Sequence, residues 1–396
     1  ADCRSDPACR ARYPDLAASL ATAIERADRE PLTVVVDDDA LRSSIAVTSD
    51  GAGVVDALVS ALQDPRTAPA VPYVIDRLAH GDADAALPLV QRRVDAAGLP
   101  AEGLALSIAC SEEVPFHDPA ALELAQSSSP VAAHVTDAAS TAADCEVWAV
   151  PAADARESAA VASGVPTLVI SGQYDPAATW SEAAAAGLPR HVAFVVPGAG
   201  AAAVWNGGCA ASIAGQFLED PAEPPRAGCI DRAPDTVFLT TADVDPTSAV
   251  YRLDSDLRTT PRPGQIAVAI ATVLVFVGTL VYGVVYGLRR RWDAPPGAVF
   301  AAVAAAALNL AFVGVLALVM TTADPLVLAF GLPAAAWPLL LLPFAALACA
   351  IVLIVLLIRA WMRDDGGLAH RVILTVSALG TLGFAVWLLV RGLLVL

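Results

Sequence analysis

The chain contains no lysine, and its 24 basic residues, all arginine, are outnumbered by 41 acidic ones for a formal net charge of −17. Alanine is abundant alongside, so the lysine gap reads as high-GC codon bias with no mechanistic content. The scarcity of cations has a consequence. The portion before Pro263 holds 17 basic and 37 acidic residues, a balance of −20, whereas the rest carries +3. Phosphate recognition requires clustered Arg or Lys, which the first portion lacks, so neither nucleic acid nor an anionic lipid surface is expected as its partner. No C-x-x-C is present and no His lies near the cysteines, so neither a metal nor a cofactor is expected.

What is present divides the chain in two. From Gln265 onward four apolar runs, roughly 265–288, 297–320, 334–358 and 372–390, approach or exceed the ~20 residues that span about 30 Å of hydrocarbon. These predict four transmembrane helices. Arg289, Arg290 and Arg291 close the first run, and Arg359, Arg363 and Arg371 lie between the third and fourth. The loop 321–333 carries no Arg, so the positive-inside rule puts the Arg-bearing loops in the cytoplasm and the soluble portion and C-terminus outside. Cysteine usage reaches the same side: six of the seven Cys precede Pro263, an even set that an exported domain uses as disulfides. Cys349 sits within an apolar run as a small apolar residue. Asn309 is the notable polar residue inside a span, so an anchor bundle is expected rather than an ion or proton path. Pro333, Pro338 and Pro343 predict an irregular or kinked third span.

In the soluble portion, residues 12–30, 50–63, 69–80 and 82–97 show helical periodicity, with Asp50 as an N-cap and Gly81 as a stop. Between the first two helices, T-V-V-V-D-D-D and S-S-I-A-V-T predict a short hairpin. V-P-T-L-V-I, beginning at Val165, and H-V-A-F-V-V, beginning at His191, are short continuous apolar runs suited to parallel strands. A helix over 208–218 follows.

The loops after those strands read S-G-Q-Y-D-P and P-G-A-G-A-A-A-V-W-N-G-G-C. With D-C-R-S-D-P-A-C-R-A-R-Y-P at the start and L-A-L-S-I-A-C-S-E-E-V-P-F further on, the chain over about 1–260 resembles the TAP-like (tripeptidyl aminopeptidase-like, proline iminopeptidase-related) α/β-hydrolases secreted by actinobacteria. The resemblance implies an α/β fold class: a partial α/β-hydrolase of helical cap and last strands, followed by an all-α four-helix transmembrane domain. The expected domains are a cap-like region at 1–150, the C-terminal hydrolase core at 151–230, a juxtamembrane linker at 231–264 and the spans at 265–396. It also implies that Cys3 pairs with Cys9, Cys110 with Cys145 and Cys209 with Cys229.

In the family an acid after one strand orients a His after the next, which serves as general base for a serine. Asp175 holds the acid position, but Ala201 stands where the His belongs, and no G-x-S-x-G nucleophile elbow occurs in the sequence. Glu112 matches cap glutamates that hold a substrate's α-amino group, although Glu112 and Glu113 read equally well as solvated loop acids. His80, His117, His134, His191 and His370 are expected at surface, loop or cytoplasmic positions, His117 being the nearest substitute base. The expected protein is a membrane-anchored, multi-pass, exported relative of serine aminopeptidases that is inactive in this chain. If active, its partner is a peptide or a small ester or amide; the lipid bilayer is a partner in either case. A pseudohydrolase that binds or scaffolds at the cell surface is the second reading, and a functional helical bundle the third. Because an eight-stranded hydrolase sheet needs strands before the cap, the sequence is also expected to be the C-terminal portion of a longer product.

Overall fold

The computed structural model describes residues 2–38, 43–96, 102–128, 130–135, 138–156, 159–176, 178–205, 207–258, 263–289, 295–365 and 367–394. They form two compact units, Ala1–Thr240 and Thr241–Leu396.

The first unit begins with two short helices tied by the Cys3–Cys9 disulfide; Asp6 caps the second, Pro7–Arg12, by accepting from the Cys9 N–H. Asp15 caps Leu16–Arg29 in the same way through Ala18, because a short carboxylate satisfies the N–H groups that a first turn leaves bare. Strands β1 (Leu32–Asp38) and β2 (Ser43–Ser49) pair antiparallel with Val34 opposite Val47, forming the expected hairpin; its turn lies outside the described residues. Asp50 accepts from Gly53 and starts Gly51–Leu62, while Gly81, at φ +89°, ends the region after Val71–Ala79. Residues 83–96 divide into a 3₁₀ turn and the helix Leu87–Ala96. Ile24, Val34, Val36, Val54, Leu58, Tyr73, Val74, Leu78 and Leu87 are buried, each 5% exposed or less, and make this helical block a real core.

A second helical stretch, 102–148, is clasped by Cys110–Cys145. Strands β3 (Thr167–Gly172) and β4 (His191–Val196) then pair parallel, Thr167 opposite His191 and Gly172 opposite Val196. This parallel sheet has two strands among the described residues, and Val195 on it is 51% exposed. Helix Gly208–Glu219 follows, bridged by Cys209–Cys229. The chain returns across the first helical block as a strap of turns and irregular backbone over 220–240, fastened where Leu239 donates to the Pro69 carbonyl and accepts from the Tyr13 hydroxyl.

The second unit contains four helices long and apolar enough to cross a membrane: Ala267–Leu288, Pro296–Thr322, Ala334–Arg363 and Leu368–Val390. The three prolines make the start of the third span irregular. Pro333 ends β6 (Gly331–Pro333), which pairs with β5 (Val244–Pro246); Pro338 lies in 3₁₀ turns over Ala334–Leu340, and Pro343 in the first turn of Leu341–Arg363. Much of 231–264 is built into one unit or the other: the strap ends in the first, while helix Ser248–Arg258 buries Ala249, Val250 and Leu253 with Phe312, Leu316, Leu332, Leu388 and Leu393 in the second. The spans approach closely at small residues. A Cβ on Gly380 would stand 2.8 Å from Val275 Cγ1, and one on Gly283 would overlap Val303.

Candidate active site

Parallel strands bring the loops after β3 and β4 to one edge, the end at which open α/β sheets hold ligands. Backbone hydrogen bonds lock the two loops together. Gln173 N–H donates to Val196 at 3.0 Å, Tyr174 N–H to Ala199 at 2.9 Å, and Gly198 N–H to the Gln173 side chain at 2.8 Å. Glycine is required for this approach: a Cβ on Gly172 would overlap the Ala199 and Gly200 carbonyls, and one on Gly200 would overlap the Gln63 carbonyl at the end of helix Gly51–Leu62. Gly198 turns at φ +67° and Ala202, without glycine's freedom, at φ +54°. The P-G-A-G loop is thus pressed between β3 and the end of helix Gly51–Leu62.

Asp175 starts the turn leaving β3, its N–H donating to Gly172 and its carbonyl accepting from Ala178. Ala201 follows β4 in the neighbouring loop, half-buried. The two positions therefore share the sheet edge. Glu112 lies elsewhere in the unit's sequence of elements, exposed on a wide π turn over Ala109–Glu113 beside the buried Cys110.

The histidines are occupied at other places. His191 begins β4, at the far end of the strand from Ala201, and its Nδ1 donates to the Leu188 carbonyl at 2.6 Å. His80 Nδ1 contacts the Asp76 carbonyl at 2.7 Å, and His134 Nε2 stands 3.5 Å from Asp28. His117 is exposed after the turn Val114–Phe116, and His370 lies in the fourth span against Tyr282. Among the described residues no group of three His, Cys, Asp or Glu side chains is arranged to hold a metal ion.

Sequence reasoning missed a cavity of about 510 Å³ at this edge, lined by Asp2, Asp6, Gln173, Tyr174, Gly198 and Thr236 among others. Gln173 donates to Asp2 at 2.9 Å, and the Tyr174 hydroxyl to Thr236 at 3.2 Å. Burial pushes the Tyr174 phenol up, the Thr236 hydrogen bond opposes this, and the Asp2 charge adds to it. A phenol held protonated is a hydrogen-bond donor, not a base at neutral pH. No local signal in the sequence connects Asp2 with Gln173 or Tyr174 with Thr236. The arrangement can hold a polar ligand.

Residues 129–229 match the family described as TAP-like protein, a match that spans Asp175, Ala201 and the Cys209–Cys229 bridge. No curated protein and no solved structure matches the chain.

Proposed function

Starting from a chain with a TAP-like α/β-hydrolase portion and four membrane-capable helices, we propose that it is an exported, membrane-anchored pseudohydrolase that binds a ligand instead of cleaving one. One observation supports this reading: Ala201, at the position that the resemblance assigns to the base, lies in a loop hydrogen-bonded to the Asp175 loop and fitted against the end of helix Gly51–Leu62. The scaffold for the acid and base is kept while the imidazole is missing. Loss of one triad member leaves binding contributions but removes several orders of magnitude in rate. The Glu112 role in holding a substrate amine belongs to the hydrolase alternative, as does a peptide or small ester or amide substrate.

Export and orientation rest on the arginine-bearing loops and on three disulfides in the soluble portion. The spans serve as an anchor: the buried polar side chains Thr279, Asn309, Ser377 and Thr381 are all neutral, unlike the ionisable chains of a proton path.

Active-site labelling tests the proposal. The full chain in detergent should not react with a fluorophosphonate probe and should not hydrolyse p-nitrophenyl acetate above the Asp175→Asn variant. Covalent capture of a serine by the probe would restore the hydrolase reading.

A further inference from the structure

A second cavity, of about 480 Å³, opens beside the Cys3–Cys9 disulfide and shares no lining residue with the one at the sheet edge. Leu16, Ala17, Leu20 and the buried Ile75 give it an apolar floor, while Arg4 and Arg10 stand on its rim. Its other polar groups are already committed. The Tyr13 hydroxyl donates to Leu239, and the Asp15 carboxylate accepts from Ala18, capping its own helix.

Acid outnumbers base 37 to 17 before Pro263, and five arginines of the unit hold carboxylates: Arg66 and Arg92 with Asp64, Arg77 with Asp82, Arg93 with Asp56, Arg156 with Asp154. Among the described residues neither Arg4 nor Arg10 has such a partner. The Arg10 guanidinium instead reaches the Arg4 carbonyl at 3.4 Å, so the short disulfide loop holds two like charges together over an apolar floor. With Asp15 counted, the rim keeps an excess of one positive charge.

We propose that this cavity binds the carboxylate end of an apolar chain, the carboxylate on Arg4 and Arg10 and the chain over Leu16, Leu20 and Ile75. A guanidinium fork matches a carboxylate in two hydrogen bonds, and an apolar floor with few polar groups is the usual composition of a ligand cavity. A free acyl chain and the C-terminus of an apolar peptide both present this chemistry.

Isothermal titration of the full chain in zwitterionic nanodiscs, blanked against empty discs, separates the possibilities. The probes are hexanoate against hexanol, and the peptide Leu-Leu-Val as free acid against its amide. At least one acid should bind about tenfold or more tightly than its neutral counterpart, and more weakly as salt rises. Binding by hexanoate alone assigns an acyl chain; binding by the peptide acid alone assigns a C-terminus. Arg4→Gln with Arg10→Gln, both exposed and expected to leave the fold intact by circular dichroism, should weaken binding about tenfold or more, while Arg29→Gln should not. Equal affinity for acid and neutral forms, no binding of either acid at millimolar concentration, or an unaffected double variant would overturn the proposal.

Discussion

Asp64 shows how single residues hold the first helical block together. Burial alone would raise its pKa, but the bidentate Arg66 guanidinium at 3.1 and 3.2 Å, the Arg66 backbone N–H and Arg92 together bring it below the ordinary carboxylate value. A depressed folded pKa means stability that is present above the unfolded value, about 3.9, and lost as pH falls through the folded one. Asp64→Asn should therefore cost about 1 kcal/mol at pH 7 and progressively less as pH falls below the unfolded value and through the depressed folded one, measured by urea unfolding of the full chain at each pH. An equal cost at every pH would mean that the side chain acts through packing instead of charge. Ala201 shows the converse at the same scale: its place after β4, in the loop beside Asp175, was legible in the sequence from its neighbours, P-G and G. The reason those glycines are kept was not, since it lies in the carbonyls of Gln63 and Ala199 that only folding brings against them.

At the scale of elements, periodicity and capping residues were sufficient where the interactions are local. Asp50 starts its helix, Gly81 stops another, and the runs at β3 and β4 pair as short parallel strands. The segment 231–264 was expected as linker; within it Ser248–Arg258 is an amphipathic helix whose buried face, Ala249, Val250 and Leu253, finds its partners only in residues more than 50 positions further on. In the spans, hydropathy marks the helices but not their contacts. Thr279 and Ser377 share a buried hydrogen bond of 2.6 Å between the first and fourth spans, and Thr381 donates to the Ser377 carbonyl in the next turn. Phe276 and Phe312 both meet Phe384 edge-on, one turn along from Thr279, Asn309 and Thr381 respectively. Polar pairs inside membranes contribute roughly 0.6 to 2 kcal/mol, so a cycle of Thr279→Val, Ser377→Ala and the double variant should give a coupling of about 1 kcal/mol. Additive losses of thermal stability in detergent would mean that the two hydroxyls bond to their own helices instead of to each other.

At the scale of the whole molecule, everything depends on which side of the bilayer holds the first unit. Two features agree on outside. The disulfides Cys3–Cys9, Cys110–Cys145 and Cys209–Cys229 would be reduced in a cytoplasm, and the arginines cluster at the ends of the first and third spans. Four spans return the chain to its starting side, so the loop near Thr322 and the one near Asp365 must face opposite compartments. The one described free cysteine, Cys349, lies within the third span and would confuse labelling, so Cys349→Ala is the background. In that background Thr322→Cys, at the end of the second span, and Asp365→Cys, in the loop after the third, each place one exposed thiol. In intact cells a membrane-impermeant maleimide should label the first and not the second, whereas permeabilised cells should label both. The reverse pattern would put the acidic unit in the cytoplasm, where a reducing environment opposes its three disulfides and where neither a surface ligand nor an exported substrate would reach the cavity at the β3–β4 edge.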